Sequence, residues 1–207
     1  ELETGNDIVR NEFKTKTDIG VEGQKKIFDK MDIHWDTFTH ESDFVFGHIT
    51  KTILDKINEK GKLKEDENGR LYVDLTGYNI PTKTPVLILT REDKTSLYPL
   101  RDIAYTMYKM NKNKDVNLIV LGEDQKVYME QISAVMDILG YSSPKLISYS
   151  FVLLNGDKMA TREGKVVLLE DFINATIDKL KVSFSERGTE LTNDEYLSLA
   201  SSCIKYN

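Results

Sequence analysis

Leu118-Ile119-Val120-Leu121-Gly122-Glu123-Asp124-Gln125 decides the fold. Its unbroken apolar half suits a strand buried on both faces of a parallel sheet, and the glycine and carboxylates that follow mark where the chain leaves the sheet. A second run of the same kind, Val86-Leu87-Ile88-Leu89, lies upstream. Each leads into a helical pattern. Ile103, Met107 and Met110 follow the first run in sequence. Val127, Ile132, Val135, Met136 and Leu139 follow the second, and that pattern stops at Gly140, a residue suited to the left-handed position past a helix end. Leu146 to Leu154 is a third strand candidate. Val166-Val167-Leu168-Leu169 leads into a helix from Asp171 to about Leu180, with the Asp171 carboxylate where the helix dipole favours it. Strands alternating with helices define an α/β class with parallel crossovers.

Outward from this centre the patterns change. Ile27, Phe28 and Met31 predict a peripheral helix over Gly23–Met31, and Phe46, Ile49, Ile53 and Ile57 predict another over Ser42–Ile57 that stops at Lys60-Gly61. Leu71-Tyr72-Val73-Asp74-Leu75 alternates as a short strand after the polar turn Asp66-Glu67-Asn68-Gly69, so a small helix-plus-hairpin insertion is expected near the N-terminus. Thr192-Asn193-Asp194-Glu195 has capping-box spacing and starts a last helix.

The composition bounds the function. The chain has 207 residues, 40% hydrophobic and 30% charged, with 28 Lys+Arg against 34 Asp+Glu for a net charge of −6. A chain of this size buries roughly 70% of its unfolded surface, enough for an enzyme domain. There is neither a run of ~18 apolar residues for a membrane span nor a basic, then apolar, N-terminal signal. A cytoplasmic protein with no membrane partner is expected. Cys203 alone excludes an intramolecular disulfide, His34, His40 and His48 are scattered, and no metal cluster is expected. The acidic balance argues against a general DNA or RNA binder while leaving room for a local basic groove.

Three constellations could carry chemistry. Gly122-Glu123-Asp124-Gln125 stands at the C-terminal end of a strand, where open α/β sheets bind ligands, although an ordinary strand-to-helix turn uses the same residue types. In Leu97-Tyr98-Pro99-Leu100-Arg101-Asp102, a proline in the first helical turn would put Tyr98 and Asp102 on one face. A phenol and a carboxylate there suit a cationic ligand such as a guanidinium; the plainer reading is a helix start with Asp102 in an ion pair. Gly156-Asp157-Lys158-Met159-Ala160-Thr161-Arg162-Glu163-Gly164-Lys165 is a glycine-bracketed cationic loop that could close over a polyphosphate or be a solvated hairpin tip.

Taken in order, the segments resemble the arginyl-tRNA synthetases, which are class I aminoacyl-tRNA synthetases. Lys158-Met159-Ala160-Thr161-Arg162-Glu163-Gly164-Lys165-Val166-Val167 is similar to that family's form of the KMSKS loop. LYPLRDIAY resembles its arginine-recognition helix, VLGEDQ its strand end, WDTFTHESDF its Glu-Ser segment, and LTNDEYLSLASSCIKYN the start of its helical anticodon-binding domain. The resemblance runs over nearly the whole chain. It implies a Rossmann-like parallel sheet with flanking helices, divided as 1–83, the helix-plus-hairpin connecting region; 84–185, the C-terminal half of the catalytic domain; and 186–207, the start of the anticodon-binding domain.

The resemblance further implies arginine, ATP (with Mg2+) and tRNA(Arg) as substrates and partners. Arginine and ATP would give arginyl-adenylate and pyrophosphate, and the arginyl group would then pass to the terminal ribose of the tRNA. Tyr98, Asp102 and Gln125 would bind arginine; Gly122, Glu123 and Asp124 would line the nucleotide and amino-acid pocket. Lys158 would approach the ATP phosphates and Met159 the adenine side, with Lys158 and Arg162 as the catalytic cations. Two positions depart from the family pattern: Ala160 replaces a serine, and Glu163 stands where a lysine is common. No His-x-Gly-His element occurs; the nearest string, Phe46-Gly47-His48-Ile49, places its single histidine in the expected helix. The 207 residues are therefore expected to be a piece of such an enzyme that is inactive alone. The alternatives are a catalytically dead paralogue serving as an arginine- or nucleotide-binding regulatory module, and an unrelated nucleotidyltransferase.

Overall fold

A computed structural model describes residues 6–46, 48–112, 115–150, 153–154, 157–158 and 167–206. It divides into two compact units, one of Asn6–Phe38 with Val152–Asn207 and the other of Thr39–Phe151.

The Thr39–Phe151 unit carries most of the core. Helices α2 (Ser42–Phe46) and α3 (Ile49–Glu59) replace the single helix expected over Ser42–Ile57. The break falls at His48, whose φ of 58° is left-handed and cannot continue a right-handed helix. His48 is thus an exposed residue ahead of α3 rather than one inside a helix. The apolar spacing survives the break because Phe44 of α2 and Ile53 and Ile57 of α3 all turn inward. Gly61, at φ 67°, ends α3 as expected.

Strands β1 (Leu63–Glu65), β2 (Leu71–Asp74) and β3 (Val86–Ile88) form an antiparallel sheet in that order. The turn between β1 and β2 is built on Asp66, whose Oδ1 accepts from the backbone N–H groups of Asn68 at 3.0 Å and Arg70 at 2.9 Å. Gly69 supplies the positive φ of 80° that this turn needs. The Val86–Leu89 run is a strand, but it extends the hairpin antiparallel, Val73 opposite Leu87. An apolar run reports burial, and Leu87 and Leu89 are indeed buried; it carries no information about the direction of the neighbouring strand.

The parallel pair is β4 (Leu118–Gly122) with β5 (Lys145–Tyr149), Val120 opposite Ile147. The helix between them, α5 (Lys126–Ile138), is the crossover, and α4 (Tyr98–Met110) precedes β4. Ile119 and Leu121 pack against the core, whereas Leu118 is 51% and Val120 62% exposed, so β4 is buried on one face and not on both. The core joins Ile53 and Ile57 of α3, Val73 and Leu87 of the antiparallel sheet, Leu100 and Ile103 of α4, and Ile132 and Val135 of α5. At the end of α5, Tyr141 N–H donates to Met136 C=O at 2.9 Å and Gly140, at φ 77°, donates to Asp137 C=O at 2.9 Å. These are the paired bonds of a Schellman cap.

The other unit is largely helical. Helix α1 (Asp7–Lys30) runs far upstream of the expected Gly23–Met31 because Asn6 caps it, its Oδ1 accepting from Ile8 N–H and Val9 N–H. No residue of α1 is buried, so no apolar periodicity announced its first turns. A short antiparallel pair, β6 (Leu153–Leu154) with β7 (Asp157–Lys158), precedes α6 (Leu169–Glu186) and α7 (Asn193–Tyr206). Thr192 and Glu195 form the expected capping box, with Thr192 N–H donating to Glu195 Oε2 at 2.8 Å and Glu195 N–H donating to Thr192 Oγ1 at 3.3 Å. Ile173, Tyr196 and Ala200 are buried here, and Phe184 meets Tyr196 edge-on with ring centroids 6.0 Å apart.

Candidate active site

Helix α4 begins one residue before Pro99, whose fixed φ suits the first turn and whose missing N–H costs nothing there. Its inner face, Leu100, Ile103, Ala104 and Met107, is anchored in the core. That anchoring sets the rotation of the helix and so directs the opposite stripe, Tyr98 and Asp102, away from the core. The two stand one turn apart, as the spacing predicts.

Among the described residues the partner of Asp102 is not the lysine or arginine of the plainer reading. Tyr128, from the first turn of α5, donates its hydroxyl to Asp102 Oδ2 at 2.5 Å. The Tyr128 ring also lies 5.2 Å from that of Tyr98 at an interplanar angle of 50°. One residue of α5 therefore touches both α4 residues. Arg101, the neighbour of Asp102, is instead paired with Glu41 at 2.6 Å. That pair ties the Glu-Ser segment before α2 to the start of α4.

Burial pushes the Asp102 carboxyl above the ordinary carboxylate range, opposed by the Tyr128 hydrogen bond and by the charges of Arg101 and Lys109. Burial likewise raises Tyr128, and the Asp102 carboxylate raises it further, so the phenol stays protonated as a donor throughout the physiological range. Lys109 is pushed down by its own burial, with Asp102 pulling it back up. The result is a partly desolvated carboxylate held in place by a neutral donor. A ligand cation meeting it would lose less to competing water than at an open surface.

Gly122, Glu123, Asp124 and Gln125 form the turn between β4 and α5, with Glu123–Gln125 as one turn of 3-10 helix. A Cβ on Gly122 would stand 2.6 Å from Asp124 Oδ1, so the glycine admits the Asp124 carboxylate over the strand end. Gln125 donates from Nε2 to Asp124 Oδ2 at 3.0 Å, and Ser150 Oγ donates to Glu123 Oε2 at 3.4 Å. Glu123 and Asp124 are exposed, as groups meant for a ligand at a strand end would be. Gln125 and Tyr128 are three residues apart at the start of α5, so a single helical turn serves both the strand-end turn and the Asp102 contact.

Lys158 closes β7 in the other unit. Met159, Ala160, Arg162 and Glu163 lie outside the described residues. Tyr128 is the site residue that sequence reasoning missed. It falls within the α5 helical pattern without belonging to the apolar stripe that marks it; its spacing from Gln125 is the signal that could have found it. Among the described residues no group of three or more His, Cys, Asp or Glu side chains is placed to hold a metal ion. Among them, too, no helix is long and apolar enough to cross a membrane.

The family model for the catalytic domain of class I (R) tRNA synthetases matches residues 1–207. The chain belongs to the class I arginyl-tRNA synthetase family. It is 32% identical over 201 residues to an arginine–tRNA ligase of Methanococcus aeolicus, covering 95% of this chain and 34% of that protein. It is 33% identical over 190 residues to one of Methanocella arvoryzae, covering 91% and 33%. The chain thus spans about a third of the length of these curated arginyl-tRNA synthetase relatives. Among solved structures, Thermus thermophilus arginyl-tRNA synthetase superposes with a TM-score of 0.78 at 16% identity, over 95% of this chain and 40% of that one. The Plasmodium falciparum arginyl-tRNA synthetase gives a TM-score of 0.77 at 18% identity, over 99% and 34%. At those identities the likeness speaks to the fold, and it supports the Rossmann-like α/β architecture of the arginyl-tRNA synthetases.

Proposed function

We propose that this chain supplies the arginine-recognising and nucleotide-facing part of an arginine–tRNA ligase, a cytoplasmic enzyme that activates arginine with ATP and transfers it to tRNA(Arg). The observation that carries the proposal is the half-buried Asp102 carboxylate, held by Tyr128 beside the Tyr98 ring on the helix next to the β4 strand end.

Residues 84–185 would form the C-terminal half of the catalytic fold, with 1–83 as a connecting region and 186–207 leading toward the anticodon-binding helices. Asp102 would face the positive end of the substrate, Tyr98 would cover its stem, and Gln125 would orient its polar groups. Gly122, Glu123 and Asp124 would line the pocket shared with the nucleotide, Glu123 or Asp124 being suited to ribose hydroxyls. Lys158 and Arg162 would neutralise charge on the ATP phosphates and Met159 would lie on the adenine side. Mg2+ would arrive with ATP and be held largely through its phosphates.

Adenylate formation needs no general base here, since the attacking arginine carboxylate is already ionised. Its oxygen bonds to the α-phosphorus as the bond to pyrophosphate breaks, so positioning and charge neutralisation carry the rate. Arginine titrated calorimetrically into the 207-residue chain should bind, and Asp102→Ala should cost about 2–5 kcal/mol of that affinity. Unchanged binding in the variant would remove Asp102 from the site. Because the 207 residues contain no His-x-Gly-His element, ATP–pyrophosphate exchange is expected to need residues outside them. Robust exchange by the chain alone, with arginine and tRNA present, would overturn that expectation.

A further inference from the structure

Tyr128 is the point at which α4 and α5 meet over the site. Its hydroxyl donates to Asp102 Oδ2 at 2.5 Å while its ring stands 5.2 Å from the Tyr98 ring. We infer that Tyr128 is the positioning residue of the arginine site, fixing the Asp102 carboxylate so that Oδ1 meets the ligand and bracing Tyr98 at the same time. This rests on the reading of Tyr98 and Asp102 as arginine-binding residues.

The inference follows from what an aspartate on a helix can do unaided. Its terminal torsion is broad, so the carboxylate plane is not set by the backbone. A planar guanidinium is gripped well only when that plane is fixed, and ordering it on binding costs affinity. Engaging Oδ2 with a rigid phenol removes that cost before the ligand arrives. The phenol is itself held, its ring filling space between the two helices against Tyr98.

Charge acts in the same direction. The charges of Arg101 and Lys109, both on its own helix, favour the ionised Asp102, and Tyr128 is its donor from α5. Facing Tyr128 are Asp102, Tyr98 and, from the segment before α2, Glu41, all of which favour the neutral phenol. Tyr128 therefore donates and Asp102 accepts. Burial works against the Asp102 charge and the Tyr128 hydrogen bond works for it. Loss of the hydroxyl moves the Asp102 titration upward, and since the ligand cation needs the carboxylate ionised, affinity is then lost at a higher pH on acidification.

Tyr128→Phe keeps the ring and removes only the hydroxyl. In the 207-residue chain, the Asp102 side-chain carboxyl would be titrated by carbon NMR and arginine affinity measured by calorimetry across pH 4–8, wild type against variant. The inference predicts an upward shift of the Asp102 titration, arginine affinity about tenfold weaker at neutral pH, and a decline that sets in at higher pH. Asp102→Asn should abolish the pH dependence of affinity, and the melting temperature of Tyr128→Phe confirms that the fold is kept. Arginine binding with the same affinity and pH profile in wild type and Tyr128→Phe overturns the inference. Absence of arginine binding in the wild type instead overturns the arginine-site reading, and the NMR titration then still decides whether Tyr128 governs the Asp102 carboxyl.

Discussion

Truncating the same side chain on two faces of the Thr39–Phe151 unit tests how that unit is held together. Leu100, on α4, is 1% exposed and lies in the core cluster with Ile53, Ile103 and Ile132, whereas Leu118, on β4, is 51% exposed. Leu100→Ala removes apolar groups worth about 0.8 kcal/mol per CH2, and the partly relaxed cavity raises the total to about 3–4 kcal/mol. Leu118→Ala leaves no cavity and forfeits about half the transfer term, about 1 kcal/mol. In thermal unfolding followed by circular dichroism, a unit of this size shifts by about 4 °C per kcal/mol, so Leu100→Ala should melt at least ~10 °C lower and Leu118→Ala no more than ~5 °C lower. The consequence reaches the site, because Leu100 sits between Tyr98 and Asp102 and its anchoring sets the rotation of their helix. Equal shifts for the two variants would refute the reasoning, since they would mean that β4 is covered on the face where Leu118 points.

Further outcomes follow from the caps and turns. Thr192→Ala breaks the capping box with Glu195 at the start of α7 and should cost about 1 kcal/mol in urea unfolding; a variant indistinguishable from wild type would mean that water replaces the cap at no cost. The Asp66 carboxyl is held below its ordinary range first by its hydrogen bond from the Arg70 backbone. A depressed carboxylate stabilises above its unfolded pKa of about 3.9, and the contribution is lost as pH falls through the lower folded value. Asp66→Asn should therefore melt below wild type near pH 7 and converge with it in strong acid, whereas a gap constant with pH would show that the carboxylate charge plays no part. Tyr78→Phe removes the 2.8 Å hydrogen bond to Asp137 Oδ2 on α5 and should cost about 0.5–1.5 kcal/mol by the same unfolding measurement, with no loss indicating that the loop before β3 is not held through it.

What could be read from the chain was whatever local chemistry writes locally. The Gly140 cap, the Asp66 turn and the Thr192–Glu195 box depend on residues within a few positions of one another, and each stands as its spacing implied. The partner of Val86–Ile88 does not depend on its own residues, which is why a strand assigned to a parallel sheet joins the hairpin instead. Helix α1 was half invisible because it buries nothing, and its capping residue Asn6 lies in a charged segment with little apolar pattern. The break at His48 needs a left-handed backbone angle, uncommon in any non-glycine residue, which the spacing of apolar residues does not register.

The site divides the same way. Tyr98 and Asp102 could be paired from helical spacing alone, since Pro99 fixes where the helix starts. Tyr128 could not, because its contact with Asp102 spans 26 residues and arises only when α4 and α5 pack. Asp102 was weighed as an ion-pair partner of a nearby base, yet the base beside it, Arg101, turns to Glu41. Among the described residues, that choice leaves the carboxylate hydrogen-bonded to Tyr128 and in no ion pair, open to the cationic substrate proposed for it.

The most direct test of the central claim sets L-arginine against L-citrulline, which has nearly the same shape but no positive charge on its side chain. The 207-residue chain should bind arginine, Asp102→Asn should weaken this at least ~30-fold, and citrulline should bind no better to wild type than arginine does to the variant. Equal binding of arginine and citrulline to the wild-type chain would contradict that claim.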